Sequence, residues 1–84
     1  MNTLNDYKNL IETRLGFIDI LKIENDRLIP SEKITKEFIK NTHSDDLFDL
    51  FSGKAFFSYR FMKIVGEITD NKLKTGYQFL EIRK

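Results

Sequence analysis

His43 is the single histidine of the chain, and Asp45, Asp46 and Asp49 follow it two, three and six positions later. One imidazole with three carboxylates is a donor set that can hold a cation. Helical geometry from Ser44 onward would spread the three acids over more than one face. They do not converge, and no metal ligand is assigned. A carboxylate pair working as general acid and base needs one partner's pKa raised by burial. Acids in the first turn of a helix are shifted the other way by its positive end, so Asp45 and Asp46 read as groups that stabilise a helix start. The run Ser44-Asp45-Asp46-Leu47-Phe48-Asp49-Leu50-Phe51 mixes acids with bulky apolar groups, as short docking segments do. Asp45, Asp46 and Asp49 are therefore candidate protein-binding residues.

The run Lys54-Ala55-Phe56-Phe57-Ser58-Tyr59-Arg60-Phe61 is the second candidate. On a strand, Phe57, Tyr59 and Phe61 share one face, which offers a row of rings to a protein partner. Against the RNA-recognition sheet motif, Lys54, Phe56 and Phe61 fall at matching positions, while Phe57 stands where a small residue is required. The alternative partner is a nucleic acid held electrostatically by Lys54, Arg60, Lys63, Lys72, Lys74, Arg83 and Lys84.

Other chemistry is excluded more simply. There is no cysteine, so disulfide scaffolds, cysteine-based zinc sites and thiol catalysis are ruled out. Glycines 16, 53, 66 and 76 lie too far apart for a phosphate-binding loop, and no nucleophile, base and orienting acid form a local signature. The expectation is a protein that is not an enzyme and carries no cofactor. Net charge is +1, yet residues 1–51 hold seven Lys or Arg against ten Asp or Glu, whereas residues 52–84 hold seven against three. Opposite charge in the two halves can orient a partner. No window approaches the roughly 18 apolar residues of a membrane span, and residues 1–6 show neither a basic head nor an apolar run. A soluble, cytoplasmic protein with no membrane partner is expected. Eighty-four residues make one domain, 1–84, with few apolar side chains to spare for a deep enclosed pocket.

These groups need elements to position them. Thr3 with Asp6 predicts a capped helix over 4–15, with Leu4, Tyr7, Leu10, Ile11 and Leu15 at helical spacing and Gly16 at its end. Residues 17–29 read as a strand or a small hairpin about Asn25-Asp26, with a continued helix to about residue 23 as the rival. Ser31 is read as the cap of a second helix that buries Ile34 and Phe38. Ser44 is read as the cap of a third, over 44–52, ended by Ser52-Gly53. A hairpin of 55–68 with 73–83 about Asp70-Asn71 places Ile64 opposite Tyr77 and Arg60 opposite Glu81. Its rival is a helix, because Phe57, Phe61, Ile64, Val65 and Ile68 fall on one helical stripe. No internal repeat is apparent.

The order helix, strand, helix, helix, hairpin resembles that of a winged-helix domain. That resemblance implies DNA binding through the third helix, but residues 44–52 carry three Asp and no Lys or Arg, which opposes phosphate contact. The expected fold is α+β: three short helices packed on a twisted antiparallel β-hairpin, with residues 17–23 available as a third strand. The expected function is a small adaptor, inhibitor or regulator that binds another macromolecule.

Overall fold

The computed structural model describes residues 3–70. Helix α1 spans Leu4–Leu15 and begins on a reciprocal cap. The Asp6 N–H donates to Thr3 Oγ1 at 3.2 Å and the Thr3 N–H to Asp6 Oδ2 at 3.0 Å, so two of the helix's unpaired donors are satisfied at once. Ile11 is the fully buried apolar residue of this helix, and Leu4, Tyr7 and Leu15 pack around the same core.

Strands β1 (Leu21–Glu24) and β2 (Arg27–Pro30) pair antiparallel, Leu21 opposite Pro30 and Glu24 opposite Arg27. Asn25 and Asp26 turn the ribbon with φ of 54° and 60°, the left-handed signature of a two-residue hairpin turn. The turn is where the sequence places it. Helix α2 (Lys36–Thr42) is capped by Thr35, whose Oγ1 accepts from the Phe38 N–H at 3.1 Å. This corrects the expectation of a cap at Ser31. The Ser31 hydroxyl donates instead to the Asp19 carbonyl at 2.6 Å, closing the base of the first hairpin.

Two further expectations are overturned. Residues 44–52 are not a third helix: Phe48–Phe51 form β3, paired antiparallel with β4 (Lys54–Phe57) about Ser52 and Gly53 at φ of 50° and 76°. The strand from 55 to 68 stops at Phe57. Tyr59–Ile68 form helix α3, and Ser58 Oγ accepts from the Phe61 N–H at 3.0 Å. A satisfied cap and a stripe that buries Phe61 and Val65 decide for helix over ribbon. The partner strand expected at 73–83 lies outside the described residues. The described residues form an α+β fold of three helices and two antiparallel two-stranded sheets. Its order departs from the winged-helix order between residues 44 and 68. One core unites them: Ile11 from α1, Leu21 and Leu28 from the first hairpin, Ile39 from α2, Phe48 and Phe57 from the second hairpin, and Phe61 and Val65 from α3.

A structural repeat runs through this arrangement at a spacing of 27 residues, contrary to the sequence reading. Gly16 and His43 end their helices in the left-handed region, at φ 81° and 54°, and Asp70 keeps the spacing with φ 55°. Phe17 N–H donates to Glu12 O and Ser44 N–H to Ile39 O, both at 3.2 Å. Strands 21–24 and 27–30 map onto 48–51 and 54–57. Ser31 N–H reaches Ile20 O at 2.8 Å and Ser58 N–H reaches Leu47 O at 2.9 Å. Each serine hydroxyl donates to an Asp carbonyl, Asp19 or Asp46, at 2.6 Å. Thr42 and Thr69 each donate to a carbonyl four residues earlier at 2.7 Å. Residues 16–42 and 43–69 are thus two copies of one helix-ending, hairpin and helix unit.

The first position of the unit gives a direct test. No heavy atom lies within 4 Å of a Cβ built on Gly16, so Gly16→Ala is expected to cost about 1 kcal/mol through its left-handed backbone alone. His43→Gly should stabilise by about 0.5–1 kcal/mol, the relief of left-handed strain exceeding the entropy of a new glycine. Urea midpoints of the two variants should therefore move in opposite directions.

Candidate functional site

An open groove of about 880 Å³ lies where the first unit meets the second. β2 and β4, which approach one another, both line it, together with residues 31, 32 and 34–36 up to the start of α2. Ile29, Ile34, Leu50, Ala55 and Phe56 supply its apolar lining, and Lys22, Lys36, Lys54 and Glu32 its charges. The pairing register explains why. In β1–β2, Leu21, Ile23, Leu28 and Pro30 share one face, of which Leu21 and Leu28 are buried. Lys22 and Ile29 fall on the opposite face and are left to the groove.

The charges are unequally engaged. Lys22 bridges Glu24 at 3.3 Å and also binds Glu32. The Glu32 carboxyl is held below its usual range first by the hydrogen bond from the Lys22 ammonium, then by a backbone hydrogen bond and by Coulombic attraction to Lys22. Glu32 and Glu24 in turn raise the Lys22 pKa, the hydrogen bond to Glu32 being the largest cause. The Glu32 contribution is present above its unfolded pKa and fades as pH falls through the lowered folded value. The Lys22 contribution is present below its unfolded pKa and fades as pH rises through the raised one. Carboxyl-resolved NMR titration of Lys22→Ala should show the Glu32 midpoint move upward; an unmoved midpoint would mean the pair does not form in solution. Lys36 and Lys54 have no ion-pair partner among the described residues.

Two hydroxyls of the groove, those of Ser31 and Thr35, are bonded within the fold. Ser31 donates to Asp19 O, and Thr35 Oγ1 accepts from the α2 backbone. The groups left to meet a ligand include the Lys36 and Lys54 ammonium groups, the Ser52 hydroxyl and a patch of apolar carbon.

The residues singled out in the sequence do not gather here. Phe57 and Phe61 are 0% exposed, stacked face to face at 4.3 Å between centroids and 5° between planes. They belong to the core and present no ring to a partner. Tyr59 is 78% exposed at the first position of α3, on the same helix as Phe61 but outside the core. Asp45 and Asp46 lie in the turn before β3, and Asp49 is in β3 opposite Phe56, so no acidic helix exists. Asp46 Oδ2 meets Arg60 Nε at 3.2 Å, which fastens that turn to α3. Among the described residues no group of three or more His, Asp or Glu side chains is placed to hold a metal ion. Of the basic candidates, Lys54 lines the groove, Arg60 is taken by Asp46, and Lys63 is exposed on α3. Lys72, Lys74, Arg83 and Lys84 lie outside the described residues.

Sequence reasoning missed Lys22 and Lys36. A signal was present: Lys36 and Lys63 are one of four identities between the two 27-residue units, the others being Asp19 with Asp46, Ser31 with Ser58 and Thr42 with Thr69. Those three pairs tie the backbone, while the lysine pair has no tethering bond among the described residues. Among the described residues no helix is long and apolar enough to cross a membrane. No protein-family model, curated protein or solved structure matches the chain.

Proposed function

We propose that this chain is a non-enzymatic binding module that receives a segment of another protein in the groove between its two helix–hairpin units. The observation that supports this most is the division of labour in the groove. Ser31 and Thr35 are bonded to backbone groups, while Lys36 and Lys54 come from different units and lie beside apolar carbon. Stacked repeat units create binding surfaces where they meet, since each junction joins side chains from two copies. An adaptor, inhibitor or regulator in a cytoplasmic setting needs no more chemistry than this.

The test is a photo-cross-linking residue placed at position 54, with one at position 40 as the control outside the groove. The reading requires a discrete protein adduct from position 54 that position 40 does not give, and that the purified partner binds the unlabelled chain in a calorimetric titration. Adducts with nucleic acid, or equal labelling from both positions, would refute it.

A nucleic-acid reading draws on a specific pattern. Arg27 with Lys54, Lys33 with Arg60 and Lys36 with Lys63 place cations at corresponding points of both units. A regularly spaced polyanion matches such a series. Against it, Lys33 Nζ donates to Ile18 O and Arg60 pairs with Asp46, and residues 3–70 carry ten Lys or Arg against twelve Asp or Glu. A fluorescence titration with duplex and single strands at two salt concentrations separates the readings, because phosphate binding must weaken steeply with salt.

A further inference from the structure

We propose that the groove's ligand is an extended, carboxylate-rich peptide segment of the partner, its acids on Lys36 and Lys54 and an apolar side chain between them against Ile29, Ile34 and Leu50. This rests on the binding-module reading and names the chemistry of its partner.

The charge pattern points to acids. The described residues have an acidic excess, yet the groove gathers three ammonium groups against one carboxylate. Glu32 is held by Lys22, which leaves the Lys36 and Lys54 charges uncompensated by any described ion pair. A negative ligand is drawn to such a spot.

The kind of ammonium and the lining narrow the class further. Lysine is a flexible point charge, suited to single carboxylates, and among the described residues no arginine fork lines the groove to grip a phosphate from two sides. Ile29, Ile34, Leu50 and Ala55 are aliphatic and Phe56 adds one ring, so the described lining rewards an alkyl side chain of a peptide more than a run of stacked bases. A volume of about 880 Å³ falls within the range of ligand sites, about 300–1,000 Å³, and admits a short segment rather than a folded domain. Lys36 opens α2 and Lys54 opens β4, so the ligand would span both units and sense their relative placement.

The experiment uses the full chain and a fluorescein-labelled octapeptide alternating Glu and Leu, followed by anisotropy. Parallel arms use a Gln–Leu octapeptide, a Lys–Leu octapeptide and a single-stranded DNA. The Glu–Leu peptide should bind at least about tenfold more tightly than the Gln–Leu peptide at low salt, and the preference should shrink as screening rises from roughly 50 to 300 mM. Lys36→Glu combined with Lys54→Glu should abolish the preference, while Lys40→Glu should leave it. Circular dichroism and urea midpoints establish that each variant is folded; all three positions are exposed. Equal binding of Glu–Leu and Gln–Leu peptides, both lost with Leu50→Arg, would overturn the carboxylate preference and leave the binding module standing. Binding of DNA with no peptide bound would overturn both. Unchanged Glu–Leu affinity in the double lysine variant would overturn the assignment of the acids to Lys36 and Lys54.

Discussion

Phe61→Ala is expected to remove about 3–5 kcal/mol of folding stability, the usual cost of truncating a fully enclosed ring. Its ring is 0% exposed, lies 4.3 Å from that of Phe57 and 5.4 Å from that of Phe48, and so joins α3 to both strands of the second hairpin. At about 0.05–0.15 kcal/mol per residue, a chain of this length has roughly 4–13 kcal/mol in all, so the loss would leave a protein close to unfolding at room temperature. Urea denaturation followed by far-ultraviolet circular dichroism measures it. Tyr59→Ala, two positions away and 78% exposed, should shift stability by no more than about 0.5 kcal/mol. Comparable losses at 59 and 61 would mean that this segment is not the helix described, because only a helix start here leaves one ring outside and takes the other in.

The second large effect belongs to Glu12, a carboxylate buried to 7% exposure that joins two elements. Glu12 Oε2 accepts from the Leu21 N–H at 3.0 Å, and Oε1 accepts from Lys8 Nζ at 3.1 Å. Leu21 begins β1 and is itself 2% exposed, so its amide has no route to water. Glu12→Ala would leave that donor buried and unpaired at a cost of about 1–3 kcal/mol. Glu12→Gln retains an oxygen for the amide and loses the charge that Lys8 answers, so it should fall between Ala and wild type. Hydrogen exchange at the Leu21 amide reads the bond itself: protection should drop in the Ala variant and persist in the Gln variant.

Much of the first half could be read from local signals because each was chemically specific. Thr3 with Asp6 and Gly16 bracket α1, and Asn25-Asp26 between apolar runs marks a turn that tolerates two left-handed residues. The second half carried ambiguous signals. Leu47, Phe48, Leu50 and Phe51 satisfy a helical stripe, and Ser52-Gly53 suits a helix end as well as a two-residue turn. Pairing of Phe48 with Phe57 and the tie from Ser58 to Asp46 resolve it, and both are contacts between separated residues that no local period reports. Ser58 is likewise a strand residue by its neighbours and a helix cap by its bonds. The repeat escaped notice because four identities in 27 positions are few, and three of them serve backbone ties whose meaning appears only in three dimensions. The groove was less legible still: residues 22, 36 and 54 come from three elements, and only the junction of the units brings them together.

The two tight reversals at 25–26 and 52–53 also bear on how quickly the molecule assembles. In each ribbon the farthest paired residues are nine positions apart in the chain, Leu21 with Pro30 and Phe48 with Phe57. Such short closures form on the order of 1–10 μs, and topologies dominated by neighbours along the chain cross their barrier early. The closures that join the Phe48, Phe57 and Phe61 rings to Ile11 and Leu28 in one core span at least twenty positions of the chain, and so cost more entropy than either ribbon does.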